Sequence, residues 1–127
     1  MAEEYKVLLR SEVEPYGPIV PLIEDAGCQI VRWNPLEDAP LADVLQAIEG
    51  AYNFGHFPFT DAYMDSMPDL RVISNFGVGV DHIDLEAAQV RGIPVGNTPK
   101  LLDGATADIT FALLLAAARN VVRGDHY

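Results

Sequence analysis

The chain has 127 residues, half of them hydrophobic, with 19 acidic against 8 basic side chains and a formal net charge of −11. That length suits one domain with its own hydrophobic core, and the acidity opposes binding to nucleic acid or to an anionic membrane surface. The single cysteine, Cys28, excludes an internal disulfide and suits a reducing cytoplasm.

In chain order, short β-branched runs alternate with helical stretches. Met1-Ala2-Glu3-Glu4 is acidic and leads only to Val7-Leu8-Leu9, so no secretory leader is expected. Tyr5–Leu9 reads as the first strand, followed by a helix over Pro15–Asp25 that Gly27 stops. Gln29–Trp33 is the second strand, Leu41–Ile48 a short amphipathic helix, and Ala51–Phe54 a third strand. Thr60–Met67 forms a helix closed by Pro68, and Arg71–Ser74 a fourth strand. Asp84 caps a helix over Leu85–Arg91, Gly92 ends it, and Ile93–Val95 is the fifth strand. This rhythm predicts an α/β fold: a flavodoxin-like five-stranded parallel sheet of order 2-1-3-4-5 with flanking helices. Ligands are then expected beyond the carboxyl ends of the strands.

The last helix, expected over Gly104–Val122, is long and apolar. Ile109, Phe111, Leu113, Leu114, Leu115, Val121 and Val122, with alanines between, leave almost no polar face. The apolar run from Ile109 to Ala118 is too short to span a bilayer. A helix apolar all round needs cover on all sides, which predicts a homodimer through residues 104–122, a domain-swapped one being one form.

Gly77-Val78-Gly79 follows the fourth strand, yet it does not complete a dinucleotide fingerprint. His82 stands where the third glycine or alanine belongs, and Asp81–Asp84 intervenes before the helix. A plain strand-to-helix turn is one reading of the loop. His56, His82 and His126 are scattered, with no ligand spacing to Cys28, and predict no metal site. His82 reads as structural or solvent-facing.

Two segments carry more than fold. Asp69-Leu70-Arg71-Val72-Ile73-Ser74-Asn75-Phe76-Gly77-Val78-Gly79-Val80-Asp81-His82-Ile83-Asp84 runs on to Gly92-Ile93-Pro94-Val95-Gly96-Asn97-Thr98-Pro99 and then to Ala116-Ala117-Ala118-Arg119. This succession resembles the D-isomer-specific 2-hydroxyacid dehydrogenases, most nearly their glyoxylate/hydroxypyruvate reductase-like members. The resemblance implies a flavodoxin-like substrate-binding domain over residues 1–100. It implies an inter-domain and dimerisation helix over 101–127, with the Rossmann nucleotide-binding domain absent from these residues.

By the same resemblance, Phe76, Gly77, Val78 and Gly79 turn backbone N–H groups toward a substrate carboxylate, where glycines leave the backbone accessible and permit positive φ. Asn53, Phe54, Gly55 and His56 lie over the substrate, the other reading being an ordinary surface loop. Thr106 opens Thr106-Ala107-Asp108, matching the family's Val/Thr-Ala-Glu. With Leu102 it borders the nicotinamide end of NAD or NADP, or else caps the first helical turn together with Asp103. Asn97 is expected to fix the turn after the last strand. The substrate class is a small 2-oxo or 2-hydroxy acid. The family's catalytic arginine, glutamate and histidine have no match here, so no catalytic residue is assigned and the chain alone is expected to be inactive and to bind no cofactor. The other readings are a freestanding small-carboxylate binding or regulatory domain, and a ligand-free structural or engineered domain.

Overall fold

Five parallel strands form one sheet of order β2-β1-β3-β4-β5, as the alternation of apolar runs and helices predicts. They are β1 (Tyr5–Arg10), β2 (Cys28–Trp33), β3 (Gly50–Phe54), β4 (Val72–Phe76) and β5 (Val95–Gly96). The computed structural model describes residues 4–10, 17–33 and 42–125. The helix starts expected at Pro15 and Leu41, and His126, lie outside the described residues.

Register places one apolar row across the sheet: Val31, Leu8, Ala51, Ile73 and Val95 are successive neighbours on adjacent strands. On this face sits the core, where α2 (Ala42–Leu45), α3 (Asp61–Asp65) and α4 (Leu85–Val90) lie in the sequence between or beside the buried residues. Phe59, Met64, Met67, Ile83, Ala88 and Ile93 pack against that row. Helix α1 (Ile19–Asp25) packs beside β2. Right-handed crossovers put it on the other face, because the chain steps outward to β2 and then back past β1 to β3.

Local chemistry sets the helix ends. Thr60 Oγ1 accepts from the Tyr63 N–H at 3.2 Å, starting α3, and Asp84 Oδ1 accepts from the Ala87 N–H at 2.9 Å, starting α4 as expected. Gly27 and Gly92 adopt the positive φ values of 79° and 69° that stop α1 and α4. Behind Gly92 the Ile93 N–H donates to Ala88 O at 2.9 Å and the Gly92 N–H to Gln89 O at 3.0 Å. That closing turn takes the donor of Ile93, so β5 begins at Val95 rather than at Ile93. Arg91 then clamps α4 to α3 through Asp61, at 2.7 Å, and Asp65.

The expected helix over 104–122 is divided. Helix α5 (Asp103–Ala118) ends where Asn120 turns left-handed at φ 52°, and α6 (Val121–Gly124) follows. Asparagine tolerates that conformation better than most residues, and it ends helices as glycine does. None of the residues of α5 is buried.

Asp84→Ala removes the cap of α4 and is expected to lower unfolding free energy by about 1 kcal/mol. Urea denaturation measures this as a lower midpoint at unchanged slope. An unmoved midpoint would show that the cap contributes nothing.

Candidate functional site

Side chains alternate along a strand, so the phase that buries Ala51 and Ile73 continues to Asn53 and Asn75 at the strand ends. These two are register partners, exposed 0% and 3%. Buried amides need partners, and this pair finds them in each other and in the loop beyond. Asn53 Nδ2 donates to Asn75 Oδ1 at 3.0 Å. Asn75 Nδ2 donates to the carbonyls of Gly77, at 3.3 Å, and Gly79, at 3.0 Å. His82 Nε2 lies 3.0 Å from Asn75 Oδ1 and 2.9 Å from Asn53 Nδ2.

The backbone around His82 is stitched to the other side of the site. Its carbonyl accepts from the Phe59 N–H at 2.9 Å, and the Asp84 N–H donates back to Phe59 O at 2.9 Å. The loop after β4 is thus held on both flanks. Asn97 Nδ2 donates to Val78 O at 2.8 Å and the Thr98 N–H to Gly77 O at 3.0 Å. Asn97 therefore fixes the glycine loop across the site, rather than only its own turn.

All three carbonyls of Gly77, Val78 and Gly79 are taken by protein donors. The N–H groups of Val78 and Gly79 meet no protein acceptor among the described residues. Neither glycine adopts positive φ; among the described glycines Gly27, Gly55 and Gly92 do. Close approach matters at Gly79, where a side chain would meet Asp81 Oδ1 at 3.0 Å, whereas one on Gly77 would make only an ordinary contact with Asn75 Nδ2 at 3.5 Å.

The expected site residues divide between two places. Phe54 and Phe76 pack ring against ring, tilted by 42° with centroids 5.4 Å apart, in the opposite phase from Asn53 and Asn75. Beneath Phe76 on that side lies Tyr52, whose phenol burial pushes up from its ordinary pKa. Gly55, at φ 94°, turns the chain so that exposed His56 sets its ring edge-on to His82, 5.5 Å away. Leu102 and Thr106 line an open groove of about 740 Å³ together with Val78 and Phe111. The first turn of α5 has no side-chain cap, so the capping reading of Thr106 and Asp103 does not hold. Among the described residues no three His, Cys, Asp or Glu side chains gather as metal ligands.

Asn75, and the part His82 plays behind the loop, escape the motif reading. Of the two readings of His82, structural and solvent-facing, the structural one holds: it is half-buried and its Nε2 meets two carboxamides. A signal was available: a polar residue at an inward strand position, twice, at the same height.

A family model described as D-isomer specific 2-hydroxyacid dehydrogenase, catalytic domain, matches residues 7–123. The glyoxylate reductase of Pyrococcus horikoshii is 35% identical over 125 residues, covering 96% of this chain and 36% of that protein. That of Pyrococcus furiosus is 56% identical over 63 residues, 50% of this chain and 19% of that protein. A 2-hydroxyacid dehydrogenase structure from Ketogulonicigenium vulgare superposes with TM-score 0.77 at 31% identity, over 96% of this chain and 38% of that one. The NADPH-dependent glyoxylate/hydroxypyruvate reductase of Sinorhizobium meliloti, solved with NADP and malonate, gives TM-score 0.71 at 28% identity, over 89% and 34%. The chain spans little more than a third of the length of the relatives that match nearly all of it.

Proposed function

The chain belongs to the D-isomer specific 2-hydroxyacid dehydrogenase family, and from that premise we propose that its loop Phe76–Gly79 holds the carboxylate of a small 2-oxo or 2-hydroxy acid. The observation that carries the reading is the loop's divided backbone: every carbonyl from Gly77 to Gly79 accepts from a protein donor, while two successive N–H groups, of Val78 and Gly79, meet no acceptor among the described residues. Successive unpaired amides form a concavity for an anion. Local donors of this kind matter in a chain of net charge −11, which repels a carboxylate at long range.

In this reading the segment Asn53–His56 lies over the acid. Its lack of lysine and arginine favours a small 2-oxo acid over a phosphorylated one. Malonate, a small dicarboxylate, is what the Sinorhizobium meliloti relative holds together with NADP. The apolar groove beside Val78 fits the reactive end of NAD or NADP, with Leu102 and Thr106 as its border. The glycine loop itself does not suit a pyrophosphate, because no helix follows it until Leu85. A bound nicotinamide would supply the hydride. The chain's own residues orient the acid by its carboxylate and shield the approach with apolar side chains. In this reading residues 1–100 are the substrate-binding part of a 2-oxo acid reductase. The 127 residues alone are inactive, with no cofactor bound. A reducing cytoplasm suits the lone thiol Cys28.

Residues 104–122 supply a homodimer contact. Ile109, Phe111, Leu113, Leu114 and Leu115 are each more than half exposed, and covering them at roughly 25 cal/mol per Å² stabilises association by several kcal/mol.

Three measurements test these statements. Titrating the labelled chain with glyoxylate is expected to shift the Val78 and Gly79 amide signals in NMR spectra. Shifts elsewhere only, or none with glyoxylate or pyruvate, would sink the carboxylate site. NADH consumption with glyoxylate should match the buffer blank, and turnover above it would overturn the inactive reading. Light scattering at micromolar concentration should return twice the chain mass, against which a monomeric mass would count decisively.

A further inference from the structure

We infer that Asn75 is the positioning residue of the anion-binding loop, and that His82, protonated at Nε2, sets the direction of its carboxamide. The inference rests on the carboxylate reading of the loop for its functional meaning, but its geometry stands apart from that reading. Asn75 Nδ2 is committed to two carbonyls, those of Gly77 and Gly79. This fixes which end of the amide is oxygen, since oxygen in that place would face two further oxygens. Each carbonyl shares its peptide plane with the N–H of the next residue, so Asn75 at Gly77 O turns the Val78 N–H away, toward the side where the acid would lie, and Asn97 at Val78 O completes the arrangement by turning the Gly79 N–H.

The oxygen end of Asn75 then faces Asn53 Nδ2 and His82 Nε2, each at 3.0 Å. A carbonyl oxygen has two lone pairs and can accept from both. If His82 carried its proton on Nδ1 instead, Nε2 would oppose that oxygen lone pair to lone pair. The buried Nδ1 would then be a donor with no acceptor, because no hydrogen-bond partner meets it in the structure. An orphaned buried N–H is rarer in folded proteins than an unfilled acceptor. The Nε2–H tautomer places that proton beside the Asn53 Nδ2 donor, 2.9 Å away, but both donate to Asn75 Oδ1, and the atoms it leaves without a partner among the described residues, Asn53 Oδ1 and His82 Nδ1, are acceptors. It is the arrangement the cluster supports. Asn53 and His82 do not touch the loop carbonyls; they act through Asn75.

The test starts with the isotopically labelled 127-residue chain and no ligand. The His82 ring nitrogens should show the signature of protonation at Nε2, and the Asn75 side-chain amide protons should exchange slowly. Asn75→Asp keeps the size of the side chain and removes both donors. It is expected to displace the Val78 and Gly79 amide signals while leaving those of Ile73 and Ile83 in the core, and to weaken glyoxylate binding about tenfold or more. Loop signals unchanged in a folded Asn75→Asp chain would overturn the inference. If that variant does not fold, the unsubstituted chain decides: a neutral His82 protonated at Nδ1, or Asn75 amide protons exchanging as fast as solvent-exposed ones, would equally overturn it. Failure of the carboxylate reading looks different, with Val78 and Gly79 in the unsubstituted chain indifferent to glyoxylate while the ligand-free signatures persist.

Discussion

The hydrogen bond between the buried amides of Asn53 and Asn75 is the constraint on which the strand-end architecture depends. It lies where an apolar pair would simply extend the core row of Ala51 and Ile73. An apolar pair would bury well, yet it would leave the carbonyl of Gly79 without its donor and that of Gly77 with the Thr98 N–H alone. Inside a protein such bonds gain strength from the low dielectric, and a half-satisfied network costs more than an apolar one. The pair therefore couples the register of β3 and β4 to the shape of the loop beyond them. Through His82, whose carbonyl binds the Phe59 N–H, the same network reaches the segment before α3. Through Asp84 it reaches the start of α4.

Much of the fold was legible because its signals are local. Gly27 and Gly92 stop helices by a positive φ that glycine alone adopts without strain, and Asp84 caps by reaching three residues ahead. Strand order followed from the alternation of runs and helices. Where reading failed, a nearby group had a competing use. Ile93 looks like strand, but its N–H closes α4, so pairing waits for Val95. Asn120 sits inside an apolar helical pattern and breaks it, because its side chain tolerates the left-handed turn that ends α5. Arg119 and Asn120 were hidden by the hydrophobicity around them.

The site was legible as a loop and not as a mechanism. Its glycines suggested positive φ, whereas neither adopts it and Gly79 instead leaves room for the close carboxylate of Asp81. The contacts that matter join residues far apart in sequence, Asn53 to Asn75 and Asn97 to Val78, and no periodicity announces them. They follow once strand register is known, since register makes Asn53 and Asn75 neighbours at one height. What the chain does disclose beforehand is the anomaly itself, two asparagines in the inward phase of otherwise apolar strands.

Helix α5 shares a surface with this site. Val78 faces the groove that Leu102, Thr106 and Phe111 form along its first turns, so the loop's outer side and the apolar helix are adjacent. Whatever covers the helix also decides how much water reaches the loop. On the proposed carboxylate reading, excluding water there would strengthen each N–H to carboxylate interaction, because the same partial charges act in a lower dielectric. The apolar helix and the anion loop thus belong to one design. The loop presents donors whose carbonyl ends are already held from behind, and the helix supplies the dry border that makes those donors effective. A polar face on α5 would make the chain more soluble and its loop a weaker site.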